Sequence, residues 1–405
     1  MAAFDGMLIW DGAGIPPCGG VFLLDREAPI GERMVINSDW TAEVRQGGQY
    51  VLARGGTEAN YEDARDQALW VAQRGLDLLC ISGAADLSIV GVEDGHITWW
   101  PEQNEAVLRV TSVATISATV TAKATVTDSL GNVQPDPPRP QIVWHESFRF
   151  FRLAQVTDDL FDAFRDLYLA LESVLSSIAP PTAQGEGEGD WFKRALGEAQ
   201  RLVPLAPFAP PGSADPLNSI YKDLYIETRN AIFHAKSTRK RILPHEWPQR
   251  PAVLSSLRRL SSLYLKLADA HLHLRRPSGG VYAGGFKLMT QWLDKSLVIH
   301  ATDDEAPVGP DTATINPGGG HVVSLDTRAA PELDQPFVRY FIGQSPVSRL
   351  AKLTHIGRIV TTDNKAPLTA EIIQGRLTLD SLDRFEAQMG LRLRNRQQPR
   401  VLYSQ

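Results

Sequence analysis

Ile220-Tyr-Lys-Asp-Leu-Tyr-Ile-Glu-Thr-Arg229-Asn230-Ala-Ile-Phe-His234-Ala-Lys236 is the stretch from which the rest of the chain reads outward. Ile220, Leu224, Ala231 and Ile232 recur at roughly helical spacing, which predicts an amphipathic helix. On such a helix Asn230 and His234, four residues apart, share a face, and Arg229 stands at its edge. A permanent cation, an amide and an imidazole then project into one small region. Those groups suit phosphate chemistry: Arg grips a phosphate in a planar fork, and His moves protons near neutral pH.

Helical periodicity extends to both sides. Leu160, Phe164, Leu167, Leu171, Val174 and Ile178 form a stripe over several turns, with Thr157, Asp158 and Asp159 as cap and acidic first turn. Pro180-Pro181 stops that helix, and Gln184 to Asp190 reads as a flexible acidic loop. A shorter helix follows over Trp191–Leu202, then a proline-rich excursion from Pro204 to Pro216. A last long helix, Ala252–Leu274, carries Leu257, Leu260, Leu263, Leu267 and Leu274. This order predicts a small antiparallel bundle.

The flanks differ. Residues 1–145 read as an α+β domain, with strand-like runs such as Val21-Phe-Leu-Leu and one helix from Tyr61 to Asp77. Glu93-Asp94-Gly95 reads as a hairpin turn, and Ala106–Thr127 as a long strand or hairpin. The proline-rich run Asp128–Pro140 is the expected linker. Residues 281–405 read as mostly strands and loops, with a short helix over Ser381–Gly390 and a basic, solvated tail over Leu391–Arg400. The expected fold class is therefore α+β multidomain. A central antiparallel helical bundle (146–276) is flanked by an α+β N-terminal domain (1–145) and a β-rich C-terminal domain (277–405).

The Arg229-Asn-Ala-Ile-Phe-His234 spacing, on a predicted helix between long helices, resembles the HEPN family over about residues 148–276. The signature of that family is Arg, four to six residues, then His. The resemblance implies a metal-independent endoribonuclease, set in prokaryotic antiviral defence or stress as a toxin-like enzyme. It assigns catalysis to Arg229, Asn230 and His234. It also implies a homodimer through the helical domain, because two copies bring two His and two Arg to one cleft. Some family members carry Tyr two residues after the His, where this chain has Lys236. Glu172 is a candidate partner for Arg229, or else an exposed helical Glu. Two alternatives stand beside the nuclease: a non-catalytic dimerisation or RNA-binding module, and an accessory protein of a metabolic operon of the methylamine-utilisation kind.

Composition narrows the classes. Over 405 residues the net charge is −6, which argues against a general nucleic-acid coat. Residues 219–276, however, hold 12 Lys and Arg against 4 Asp and Glu. Lys236, Arg239, Lys240 and Arg241 follow the motif directly and are the expected RNA-backbone contacts, with a solvated helix end as the plain alternative. Cys18 and Cys80 alone give no disulfide framework, and a reducing, cytoplasmic setting is expected. No apolar run is long enough for a membrane span, and no cofactor or metal site is expected from the residue spacing.

Overall fold

The computed structural model describes residues 1–118, 125–134, 142–157, 159–181, 185–234, 242–243, 249–274, 280–309, 312–331 and 338–395. The chain divides into two compact units. One joins residues 1–118 to 282–395; the other is built from residues 119–281.

Among its described residues the first unit holds two sheets and two α-helices. Its N-terminal part supplies β1 (Ala2–Phe4), β2 (Met7–Trp10), β3 (Cys18–Leu23), β4 (Glu32–Val35), β5 (Trp40–Val44), β6 (Tyr50–Gly55), α1 (Tyr61–Ile81), β7 (Gly95–Glu102) and β8 (Glu105–Ala118). The helical unit intervenes in the chain with α2 (Ser147–Val156), α3 (Leu160–Ile178), α4 (Glu188–Ala199), α5 (Pro216–Ile220), a π-helix (Tyr221–Arg229), α6 (Asn230–Phe233) and α7 (Arg250–Leu272). After it come α8 (Gly280–Ser296), β9 (Leu297–Thr302), β10 (Val322–Ser324), β11 (Asp326–Ala329), β12 (Val338–Pro346), β13 (Ile356–Asp363), β14 (Ala366–Leu379) and β15 (Arg384–Asn395).

Both sheets mix strands from the two ends of the sequence. One has the order β10-β9-β13-β14-β1-β2, the other β11-β12-β15-β8-β7-β3-β6-β5-β4. Neighbours are antiparallel except β15 and β8, which run parallel from Arg384↔Val107 to Asn395↔Ala118. Phe4, Ile9, Trp99, Leu108, Ile299, Phe341 and Phe385, drawn from both sheets, share one buried cluster. Strand alternation explains the membership: Trp99 and Leu108 point to this core, while His96, Trp100 and Arg109 point to the opposite face.

That opposite face is covered by α1. Asn60 caps the helix, its side chain accepting from the Asp63 N–H. Ala64, Ala68, Leu69, Val71, Ala72 and Leu76 are buried. The approach is close: a Cβ on Gly75 would come within 2.5 Å of the Ala42 Cβ. A satisfied polar network lies under the helix start. Arg109 donates from Nε and Nη2 to Glu386 Oε2 at 2.8 and 2.7 Å, and its guanidinium sits 4.2 Å from the centre of the Tyr61 ring. Gln344 donates to the other Glu386 oxygen at 2.8 Å. His96 Nδ1 is 3.0 Å from the Val92 carbonyl and so carries the proton, leaving Nε2 to accept from the Tyr61 hydroxyl at 2.8 Å. Burial, then the charges of Arg65 and Arg109, hold the His96 pKa down to about 3.

The expected fold class does not stand. The chain is sheet-rich and is not organised about a central helical bundle; its six- and nine-stranded sheets dominate the architecture. The two flanks share both sheets, because β1 pairs with β14 and β8 with β15. Local periodicity carried no information about partners so far apart in sequence. Four smaller readings change with it. The hairpin between β7 and β8 turns at Gln103-Asn104, both at positive φ (52° and 70°), as a two-residue primed turn requires, and not at Glu93-Asp94-Gly95. Residues 384–390 belong to β15 and are not helical. The basic run at Leu391–Asn395 also lies in that strand, where Arg392 donates to both Asp94 carboxylate oxygens at 2.9 and 2.6 Å. Residues 280–296, read within a strand-and-loop region, form α8.

The helical unit has its own core. Phe164, Leu167, Leu171 and Val174 of the predicted stripe are buried against Leu257, Leu260, Leu263 and Leu267 of α7. Asp159 caps α3, accepting from the Phe161 and Asp162 N–H groups. Ile220, Leu224, Ala231 and Ile232 join the same cluster.

Candidate functional site

The motif segment is helical with an interruption. Asp215 caps α5, Pro216 takes its first position, and after Ile220 the backbone widens into π winding through Arg229. The Asn230 N–H returns to the Tyr225 carbonyl, five residues back. Single-turn π insertions are the common form; this run covers nine residues, and such winding concentrates at functional sites. Tertiary bonds hold it. Asp223 accepts Arg259 Nε and Nη2 at 2.8 and 2.9 Å and the Ser256 hydroxyl at 2.8 Å, and Thr228 donates to Ser256 at 3.2 Å.

Arg229 follows from that winding into an aromatic cage. Its guanidinium carbon lies 5.9, 5.4 and 5.0 Å from the ring centres of Tyr168, Tyr225 and Phe233. Nη1 donates to Asn230 Oδ1 at 3.1 Å, Nη2 donates to Glu188, and the buried Nε has no hydrogen-bond partner among the described residues. Arg229 and Asn230 are thus brought together, as the sequence suggests. His234 is placed otherwise. α6 lasts one turn; the His234 N–H still bonds the Asn230 carbonyl at 3.2 Å, but the residue itself is extended (φ −122°, ψ 110°) and caps the helix. Its imidazole is half-buried at the helix end. Lys236, Arg239, Lys240 and Arg241 lie outside the described residues.

Two carboxyl groups complete the cluster. Glu172 on α3 is pushed up to about 7 by burial first, then by the charge of Glu188, with Arg229 opposing and a hydrogen bond to Glu188 adding to the rise. Burial, then Glu172, raises the Tyr168 phenol above its ordinary range, and burial with Glu188 raises Tyr225. The sequence reading weighed Glu172 against Arg229 but missed Glu188, which lies inside the run taken for a flexible loop. Arg194 organises that run: it donates to both Glu186 oxygens at 2.8 and 2.9 Å and to the Pro180 carbonyl at 3.0 Å. Trp191 Nε1 adds a bond to the Ala179 carbonyl at 2.9 Å. The available signal was Trp191 and Arg194, one turn into a short helix directly after the acidic residues. The aromatic cage was also missed: Tyr168 comes from the distant helix α3, while Tyr225 and Phe233 stand four residues before and after Arg229 in the motif segment itself.

Chemically, the cluster offers a fixed cation and a carboxyl group that titrates near neutrality, while the imidazole of His234 stands at the end of α6. Among the described residues, no group of three or more His, Cys, Asp or Glu side chains is placed to hold a metal ion. Among them, too, no helix is long and apolar enough to cross a membrane. Compared with known proteins, the chain matches no family model, no curated protein and no solved structure.

Proposed function

We propose that the helical unit cleaves RNA without a metal ion, with two copies of the chain contributing to one site. The observation that supports this reading most is the placement of Arg229 and Asn230 as a hydrogen-bonded pair one helical turn before a His234 that has left the helix. Cleavage needs a base for the ribose 2′-hydroxyl, a cation for the phosphoryl oxygens and an acid for the 5′-oxygen. His234 takes the 2′-hydroxyl proton while O2′ bonds to phosphorus. Arg229 faces the non-bridging oxygens. The P–O5′ bond breaks as His234 of a second copy, in its imidazolium form, protonates O5′. The products are a 2′,3′-cyclic phosphate and a 5′-hydroxyl, and DNA is not a substrate.

A second reading, an RNA-binding or dimerisation module without cleavage, is favoured by the ion pair of Arg229 with Glu188, which neutralises the cation within its own chain. One assay separates them. Labelled single-stranded RNA is incubated in chelator with the wild type, His234→Ala and Arg229→Ala, and melting curves are run alongside. Nuclease function expects a loss of about 10²-fold for His234→Ala and about 3 kcal/mol of barrier for Arg229→Ala, on folded proteins. A wild type that binds RNA but leaves it intact, or a His234→Ala that cuts as well as wild type, assigns the module reading instead.

A further inference from the structure

We propose that Glu188 is an internal occupant of the Arg229 anion site, holding the place that an RNA phosphodiester takes, so that the site opens only when Glu188 swings away; this rests on the RNA reading above. The guanidinium has one edge to offer a ligand. Nη1 is committed to Asn230 Oδ1, Nε is buried beside the rings, and Nη2 is covered by the Glu188 carboxylate. A carboxylate and a phosphodiester both present paired oxygens with one negative charge, and both match the arginine fork. Glu188 therefore satisfies Arg229 in the way a phosphate would.

The two partners differ in freedom. The Arg229 side chain is 14% exposed, and Tyr168, Tyr225 and Phe233 surround it, so it stays where it is. The Glu188 side chain is 42% exposed and can rotate into solvent about its own torsions. Its backbone need not move: Glu188 is the first residue of α4, and the Arg194 and Trp191 bonds fasten the run before and after it. A purely structural ion pair makes the opposite prediction. Removing the Glu188 charge would then loosen Arg229 and weaken anion binding.

The test is fluorescence anisotropy of a labelled single-stranded RNA oligonucleotide with the full chain, comparing wild type, Glu188→Gln and Glu188→Asp across a salt series. Glu188→Gln should bind at least tenfold more tightly. Its log K against log salt should be steeper by about 0.7, one added phosphate contact on a single strand. Glu188→Asp, which keeps the charge but retracts it by one methylene, should fall between. Equal or weaker binding by Glu188→Gln, on a protein that melts normally, overturns the proposal. If Glu188→Gln fails to fold, Glu188→Asp decides: tighter than wild type supports the proposal, equal or weaker overturns it. If no variant binds RNA, the RNA reading itself falls, and a thermal-shift titration with pyrophosphate decides what remains. A stabilisation seen with Glu188→Gln and absent from wild type keeps Glu188 as occupant of an anion site; no stabilisation overturns that as well.

Discussion

Replacing Glu172 by Gln should make the helical unit more stable above neutral pH and remove a pH dependence of opposite sign to that of most carboxylates. The folded protein raises Glu172 from 4.5 to about 7. A group raised in this way binds its proton more tightly in the folded state. Its contribution is therefore fully present below the unfolded pKa and is lost as pH rises through the folded one. The window runs from about pH 4.5 to 7. At about 1.4 kcal/mol per unit the shift corresponds to about 3 kcal/mol, and solvent at the partly exposed side chain lowers this to about 2 kcal/mol. Gln at this position imitates the protonated acid in carrying no charge to repel Glu188. The gap between variant and wild type should therefore widen with rising pH and level off above about pH 7.5. For a unit of this size it amounts to roughly 4–8 °C in melting temperature. Circular dichroism at 222 nm, which weights the helical unit, measures it at half-unit steps from pH 4.5 to 8.5. Parallel curves for the two proteins, or a gap that closes as pH rises, would refute the argument that Glu172 is a proton-retaining neighbour of Glu188.

Three further outcomes test the sheet unit. Arg109→Ala strands the buried Glu386 carboxylate and should cost about 3–5 kcal/mol in urea unfolding followed by tryptophan fluorescence; a loss under 1 kcal/mol would mean that Gln344 and Arg384 satisfy Glu386 without it. Gly75→Ala should destabilise by about 1–3 kcal/mol, although alanine is the better helix former by about 1 kcal/mol, because its methyl would overlap the Ala42 Cβ; a stabilised variant in the same assay would show that α1 can lift from the sheet at no cost. His96 sits at about 3, below its ordinary 6.5, so the stability it supports is present above pH 6.5 and is lost on acidification. Wild type should lose about 3 kcal/mol more than His96→Gln between pH 6.5 and 4, and equal acid sensitivity of the two proteins in urea titrations would contradict the buried neutral imidazole.

What sequence alone revealed divides along contact distance. The α3 stripe from Leu160 to Val174 and Leu257, Leu260, Leu263 and Leu267 of α7 are buried where periodicity places them, because an amphipathic helix encodes its inner face within a few turns. Helix α1 was legible for the same reason. Sheet partners were not. Arg384 and Val107 stand opposite each other in adjacent strands, yet nothing near either residue specifies the other, and the shared sheets of the two flanks went unread. At the candidate site, Arg229 and Asn230 were visible as a pair. The departure of His234 was not, since a cap with extended backbone depends on where the helix stops and not on the spacing before it. Glu188 stayed hidden because acidic residues among glycines read as solvated loop, and only Arg194 and Trp191, later in the chain, fix its place.

The parallel pairing of β8 with β15 also bears on how the protein is made. Paired residues are 277 positions apart, so when β8 leaves the ribosome its neighbour in the nine-stranded sheet has yet to be translated. At about 5–20 residues per second the delay is roughly 15–55 seconds. During it, one edge of a hydrophobic strand fourteen residues long stays unpaired. Helical segments, whose contacts are closer in sequence, can form within that interval, whereas closure of the nine-stranded sheet waits for β15. Slowed elongation anywhere between residues 119 and 384 would lengthen this exposure without changing one contact of the finished fold, and yield in the cell would then depend on chaperone capacity as well as on stability.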